Sequence, residues 1–95
     1  MAQGALASIG NTPLQLTATP TLLALGITLK AAAGNSGAVY IGFANTVTPG
    51  TTPATDGYEL SAGEELFLPV GLVAGASLIW VVAASASKKL YWLGL

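Results

Sequence analysis

The sequence predicts an all-β fold: one antiparallel β-sandwich, jelly-roll-like, of six to seven short strands over residues 12–95. Three observations lead there. Apolar residues recur with a period of two in several stretches, the spacing that places every second side chain on one face of a strand. Clusters of Gly, Pro, Asn and Ser separate these stretches at short intervals. No stretch carries a sustained 3.6-residue period, so no helix longer than two turns is expected.

Residues 1–11 are small, weakly patterned and end in the turn cluster Gly10-Asn11-Thr12-Pro13, which reads as a flexible N-terminal arm. Leu6 and Ile9 are the side chains by which such an arm would order on a neighbouring subunit; a disordered terminus is the alternative. Leu14 and Leu16 open a short strand. In 23–31, Leu23, Leu25, Ile27, Leu29 and Ala31 share one face, against Ala24, Gly26, Thr28 and Lys30 on the other. Gly34-Asn35-Ser36-Gly37 then tolerates positive φ, and residues 38–44 return with Val39, Ile41 and Phe43 aligned, which reads as a hairpin. Residues 45–57 are a loop by composition, long for a compact domain; an interface role and a mobile excursion both fit. Tyr58-Glu59-Leu60 is a short strand, Ser61-Ala62-Gly63-Glu64 a tight turn, and 65–70 a strand with Leu66, Leu68 and Val70 on one face. Pro69 cannot donate a ladder hydrogen bond, so this strand lies at an edge or ends there. The strand 77–84 is apolar on both faces, which calls for cover on both, the second cover being another subunit. The final strand, 89–95, sets Leu90 and Trp92 on one face and Tyr91, Leu93 and Leu95 on the other. Trp92 is the expected core anchor, and Tyr91, Leu93 and Leu95 the expected subunit contact.

Composition narrows the function class. The chain is 53% hydrophobic and 7% charged, with Lys30, Lys88, Lys89, Asp56, Glu59, Glu64 and Glu65 as its only charges. A small monomer exposes much of its surface, and seven charges cannot cover it. Protein subunits or lipid must cover part of the rest, which points to an assembly component. With no Arg and a net charge of -1, phosphate neutralisation is lacking and nucleic acid is not an expected partner. The absence of Cys removes disulfides and thiolate chemistry. The first residues carry no basic group of the kind a secretory signal needs, so the chain is expected to act where it is made or to be packaged into a particle.

No constellation of catalytic residues emerges, and neither an enzyme, a cofactor nor a small-molecule substrate is expected. Glu64 and Glu65 are adjacent in a strand and point to opposite faces, so they cannot converge on one substrate. Asp56 and Glu59 fall far short of a calcium ligand set. Without His there is no Ser-His-Asp arrangement, and a Ser/Lys pair would require Lys88 or Lys89 beside Ser85 or Ser87 within what reads as a turn. Trp80, Tyr91 and Trp92 lack the basic neighbours of a base-stacking site and read as core or interface. One segment raises a membrane reading: Leu66 to Ser87 runs 22 residues without a charge, enough for one span. Pro69, Gly71 and Gly75 divide it into strand-length pieces, which makes a membrane partner the lesser alternative.

The runs Gly34-Asn35-Ser36-Gly37-Ala38-Val39-Tyr40-Ile41-Gly42, Leu60-Ser61-Ala62-Gly63-Glu64-Glu65-Leu66 and Leu90-Tyr91-Trp92-Leu93-Gly94-Leu95 resemble the short all-β accessory structural proteins of tailed-phage virions. In that family a Gly-x-Val-Tyr-Val-Gly hairpin strand precedes a Leu-x-x-Gly-Glu turn and a final aromatic strand. The likeness spans Leu29 to Leu95. It implies a bacteriophage capsid decoration (cement) protein or head-fibre part, located at the virion surface, made in the host cytoplasm and bound to the major capsid protein. Analogy with the three-fold axes of icosahedral shells suggests a homo-trimer. The expected contact residues are Leu6, Ile9, Val47, Pro49, Pro53, Tyr58, Ile79, Val81, Tyr91, Leu93 and Leu95. Two alternatives stay open: a small single-span membrane protein crossing near 66–87, and a receptor- or glycan-binding fibre or tail tip using Tyr58 and loop 45–57.

Overall fold

The computed structural model of the protein describes residues 2–17, 25–69 and 75–95. Within them the chain forms eight strands: β1 (Ala2–Ile9), β2 (Leu14–Gln15), β3 (Gly26–Ala31), β4 (Val39–Gly42), β5 (Tyr58–Leu60), β6 (Glu65–Pro69), β7 (Trp80–Ala83) and β8 (Lys88–Gly94). The one helical element among the described residues is a three-residue 3-10 turn, Ala76–Leu78. The strands build two antiparallel sheets of four, a front sheet ordered β1-β8-β3-β6 and a back sheet ordered β2-β7-β4-β5. The all-β sandwich expected from the sequence is the observed class, with eight strands in place of six to seven.

Period-two alternation sets the two faces of each strand. In β3, Ile27, Leu29 and Ala31 are buried and Lys30 is exposed; in β8, Leu90 and Trp92 are buried while Lys89, Tyr91 and Leu93 are exposed. These inward side chains meet Val39, Ile41, Leu60 and Val81 of the back sheet in one core. Burying each large aliphatic side chain stabilises the fold by about 1.5–3 kcal/mol relative to leaving it in water.

The strand pairings nest: β4 with β5, β3 with β6, β2 with β7 and β1 with β8. Among the described strands only β4 and β5 are consecutive members of one sheet; every other pair of successive strands lies in different sheets. The hairpin expected around Gly34–Gly37 is therefore a crossover, with β3 in the front sheet and β4 in the back. Asn35 accounts for this locally. Its Nδ2 donates to the Lys89 carbonyl at 2.9 Å and its Oδ1 accepts the Lys89 N–H at 2.9 Å. These bonds tie the turn to the start of β8, away from a tight return beside β3.

The N-terminal arm is also corrected. Residues Ala2 to Leu6 pair with Gly94 to Leu90 in unbroken antiparallel register, and a bulge follows before Ile9 meets Lys88. Small residues make this pairing possible. A Cβ on Gly4 would sit 2.7 Å from Nε1 of Trp92, so the indole lies where any larger residue would collide. The sandwich thus takes in residues 2–9 and is not confined to residues 12–95. A single helical membrane span over 66–87 is overturned as well: the segment contains β6, the 3-10 turn and β7, and among the described residues no helix is long and apolar enough to cross a membrane. Residues 70–74 of that segment, and Leu23 and Ala24 of the expected strand 23–31, lie outside the described residues.

Candidate interaction surface

The outer face of the front sheet follows from strand register. Gln3, Leu93, Thr28 and Phe67 form one cross-strand row, and Ala5, Tyr91, Lys30 and Glu65 the next. Neighbouring strands lie about 4.8 Å apart, so these side chains stand side by side across the sheet. Leu93 is 42% exposed, Tyr91 45% and Phe67 49%. Three charges share the face: Lys30 stands between Tyr91 and Glu65 in the second row, and Lys89 holds its ammonium 5.8 Å from the centre of the Tyr91 ring.

Phe67 also reaches the edge of the sandwich, where β6 faces β4 and β5. There an open cleft of about 360 Å³ is lined by Ile41, Phe43, Tyr58, Leu66, Phe67 and Leu68. Ile41 and Leu68 form a floor continuous with the core, while Phe43 and Tyr58 stand exposed at the rim. Contiguous apolar surface of this kind marks contact sites on soluble proteins. Phe43 was expected on the core face with Val39 and Ile41. The alternation stops at Gly42, because Val47 packs where a Gly42 Cβ would lie, at 2.7 Å, and the chain turns out before Phe43.

Loop 45–57 is the tip of the β4–β5 hairpin and is bonded through its own residues. Oδ1 of Asp56 accepts from Thr48 Oγ1 at 2.7 Å and from the Gly50 and Thr52 N–H groups at 3.0 Å each. These bonds, led by that from Thr48, hold the Asp56 carboxyl below its usual range. Thr48 and Gly57 close the loop's base by backbone bonds. Beside it, Tyr40 donates to Glu59 Oε2 at 3.1 Å, and desolvation, with that bond and the Glu59 charge, raises the phenol.

The expected contact residues divide accordingly. Tyr58, Tyr91 and Leu93 are exposed, as is Pro53; Pro49 and Leu95 are half-buried. Ile9, Ile79 and Val81 are fully buried in the core, and Val47 is 6% exposed beneath the loop, so none of these four is available to a partner. Leu6 is half-buried against the same core. The strand expected at 77–84 needs no second subunit to cover β7: Val82, on the face away from the core cluster, is already fully buried within one chain, beside its cross-strand neighbour Tyr40. Sequence reasoning overlooked Phe67, although its placement between Leu66 and Leu68 already assigned it to the outer face.

The Ser/Lys pairing does occur. Lys88 is buried at the start of β8 and its Nζ donates to Ser85 Oγ at 3.0 Å and to the Ala86 carbonyl at 3.1 Å. The ammonium thereby closes the tight turn in which Ser87 has a φ of 68°. Both bonds serve the turn. Among the described residues no group of His, Asp or Glu side chains could hold a metal ion. In comparisons with family models, curated proteins and solved structures, nothing matches this chain.

Proposed function

We propose that this chain is a non-enzymatic structural protein that works by apolar contact, as a virion decoration (cement) component that self-associates and clamps neighbouring capsid subunits. The observation that carries the reading is the exposure of Phe67, Leu93 and Tyr91 on the outer face of the front sheet, Phe67 and Leu93 flanking Thr28 in one row and the charged pair Lys30 and Glu65 standing in the next. A rigid sandwich presenting a patterned apolar face suits clamping, which needs no reacting group. The nested strand pairing supports reading the sandwich as a jelly roll. The link to a virion rests on the family resemblance of the three sequence runs. Mass spectrometry of purified particles from the encoding host is the test. The chain should appear in amounts comparable with the major capsid protein, and its absence from particles would overturn the assignment.

A fibre- or tail-tip reading is favoured by one observation, the exposed pair Phe43 and Tyr58 at the cleft beside loop 45–57. Aromatic faces of this kind stack on sugar rings. A glycan array separates the two: a specific glycan signal lost in Tyr58→Ala supports the tip, and no signal removes it.

A further inference from the structure

The four sheet edges are not alike. β2 is two residues long, and β5 is three residues long and carries Glu59. β6 begins with Glu65 and ends in Pro69. Each of these edges is blunted by shortness, charge or proline, the devices that prevent a free edge from pairing with another chain. β1 is eight residues long, has no charge and no proline, and among the described strands pairs with β8 alone. Its first five residues are regular, because the bulge falls after Leu6.

We propose that β1 is a dimerisation edge whose occupant is β1 of a second copy, paired antiparallel so that two front sheets join into one of eight strands. The occupant follows from the edges themselves. Among the described edges only β1 offers a flat run of this length, so of the edges a second copy presents, its own β1 is the one that matches in length. Two identical neighbouring strands in one sheet are related by a two-fold axis, which makes them antiparallel and the contact self-complementary. Charge is compatible: β1 contributes none, while Lys30 and Glu65 sit on the strands farther from this edge. With the axis at Gly4, Ala5 of each copy lies opposite Gln3 of the other, both on the exposed outer face. Five paired residues bury far less than the roughly 800 Å² per partner of a standard stable interface. The dimer is therefore transient in solution and is consolidated where many copies are held together on one surface. A two-fold contact of this kind gives a dimer in place of the trimer that icosahedral analogy suggested. The inference deepens the assembly reading and depends on self-association as that reading does.

Sedimentation equilibrium of the purified protein up to about 100 µM tests it, with circular dichroism as the check on folding. The wild type should show a concentration-dependent dimer. Ala5→Lys combined with Gln3→Lys sets lysine opposite lysine at both symmetry-related pairs and should weaken dimerisation about tenfold without altering the strand spectrum. Ala5→Lys combined with Gln3→Glu should dimerise at least as well as the wild type, because the introduced carboxylate faces the introduced ammonium of the other copy. If the double lysine variant fails to fold, Ala5→Glu combined with Gln3→Glu carries the same test with the opposite sign. A monomer throughout the range, or an oligomer indifferent to these like-charge variants, overturns the proposal. An oligomer indifferent to them but dissolved by Phe67→Ser with Leu93→Ser would overturn the edge contact and leave the assembly reading standing.

Discussion

Trp92→Ala tests the assignment of the two faces of β8. Trp92 is 8% exposed, lies against Gly4 of β1 and packs in the core with Leu29, its cross-strand neighbour on β3. Truncation removes about 150 Å² of buried indole, a loss of about 4 kcal/mol at about 25 cal/mol per Å². That value falls within the range of about 3–5 kcal/mol for deleting a buried aromatic. For a 95-residue domain the unfolding entropy is about 0.2 kcal/mol/K, so the melting temperature should fall by roughly 20 °C. Leu93→Ser changes a neighbouring residue on the opposite face and should shift stability by no more than about 0.5 kcal/mol. Urea and thermal unfolding, followed by circular dichroism, measure both. A loss under about 1 kcal/mol in Trp92→Ala, or a larger loss in Leu93→Ser, would show the faces to be reversed.

Phe67→Ser combined with Leu93→Ser should leave the melting temperature within a few degrees of the wild type while abolishing attachment to particles, read by co-sedimentation. Gly57→Ala places a Cβ 2.8 Å from the Ile41 carbonyl and from Val47, with backbone on one side that cannot yield; a cost of about 1–3 kcal/mol in urea unfolding is expected. Lys88→Ala removes both bonds that close the 84–87 turn from a buried position, and should cost about 1–3 kcal/mol by the same measurement. The Asp56 carboxyl is held below its ordinary value of 3.8, so its contribution to the loop is fully present above that value and is lost as pH falls through the lower folded value. Amide exchange at Gly50 and Thr52 should accordingly accelerate in acid below about pH 3.8 and be fast at neutral pH in Asp56→Ala; exchange unchanged by the substitution would refute the role given to this side chain.

The sequence alone determined what alternation and composition can carry. The inward faces of β3 and β8, the turn at 61–64 and the scarcity of charge were all legible, because each depends on residues that are neighbours in the chain. Sheet membership was not. A strand followed by Gly-Asn-Ser-Gly and a second strand reads alike whether the chain returns beside itself or crosses the sandwich. The choice was made by Asn35 bonding Lys89, 54 residues away. The same holds for β1, whose small residues look unstructured until Trp92 is laid against Gly4, and for Val47, which reads as loop until Gly42 and Gly57 leave it a place to pack. Local pattern fixes which way a side chain points. Which surface it then meets is a long-range contact, and only the assembled tertiary structure decides whether an apolar residue ends in the core or at the surface.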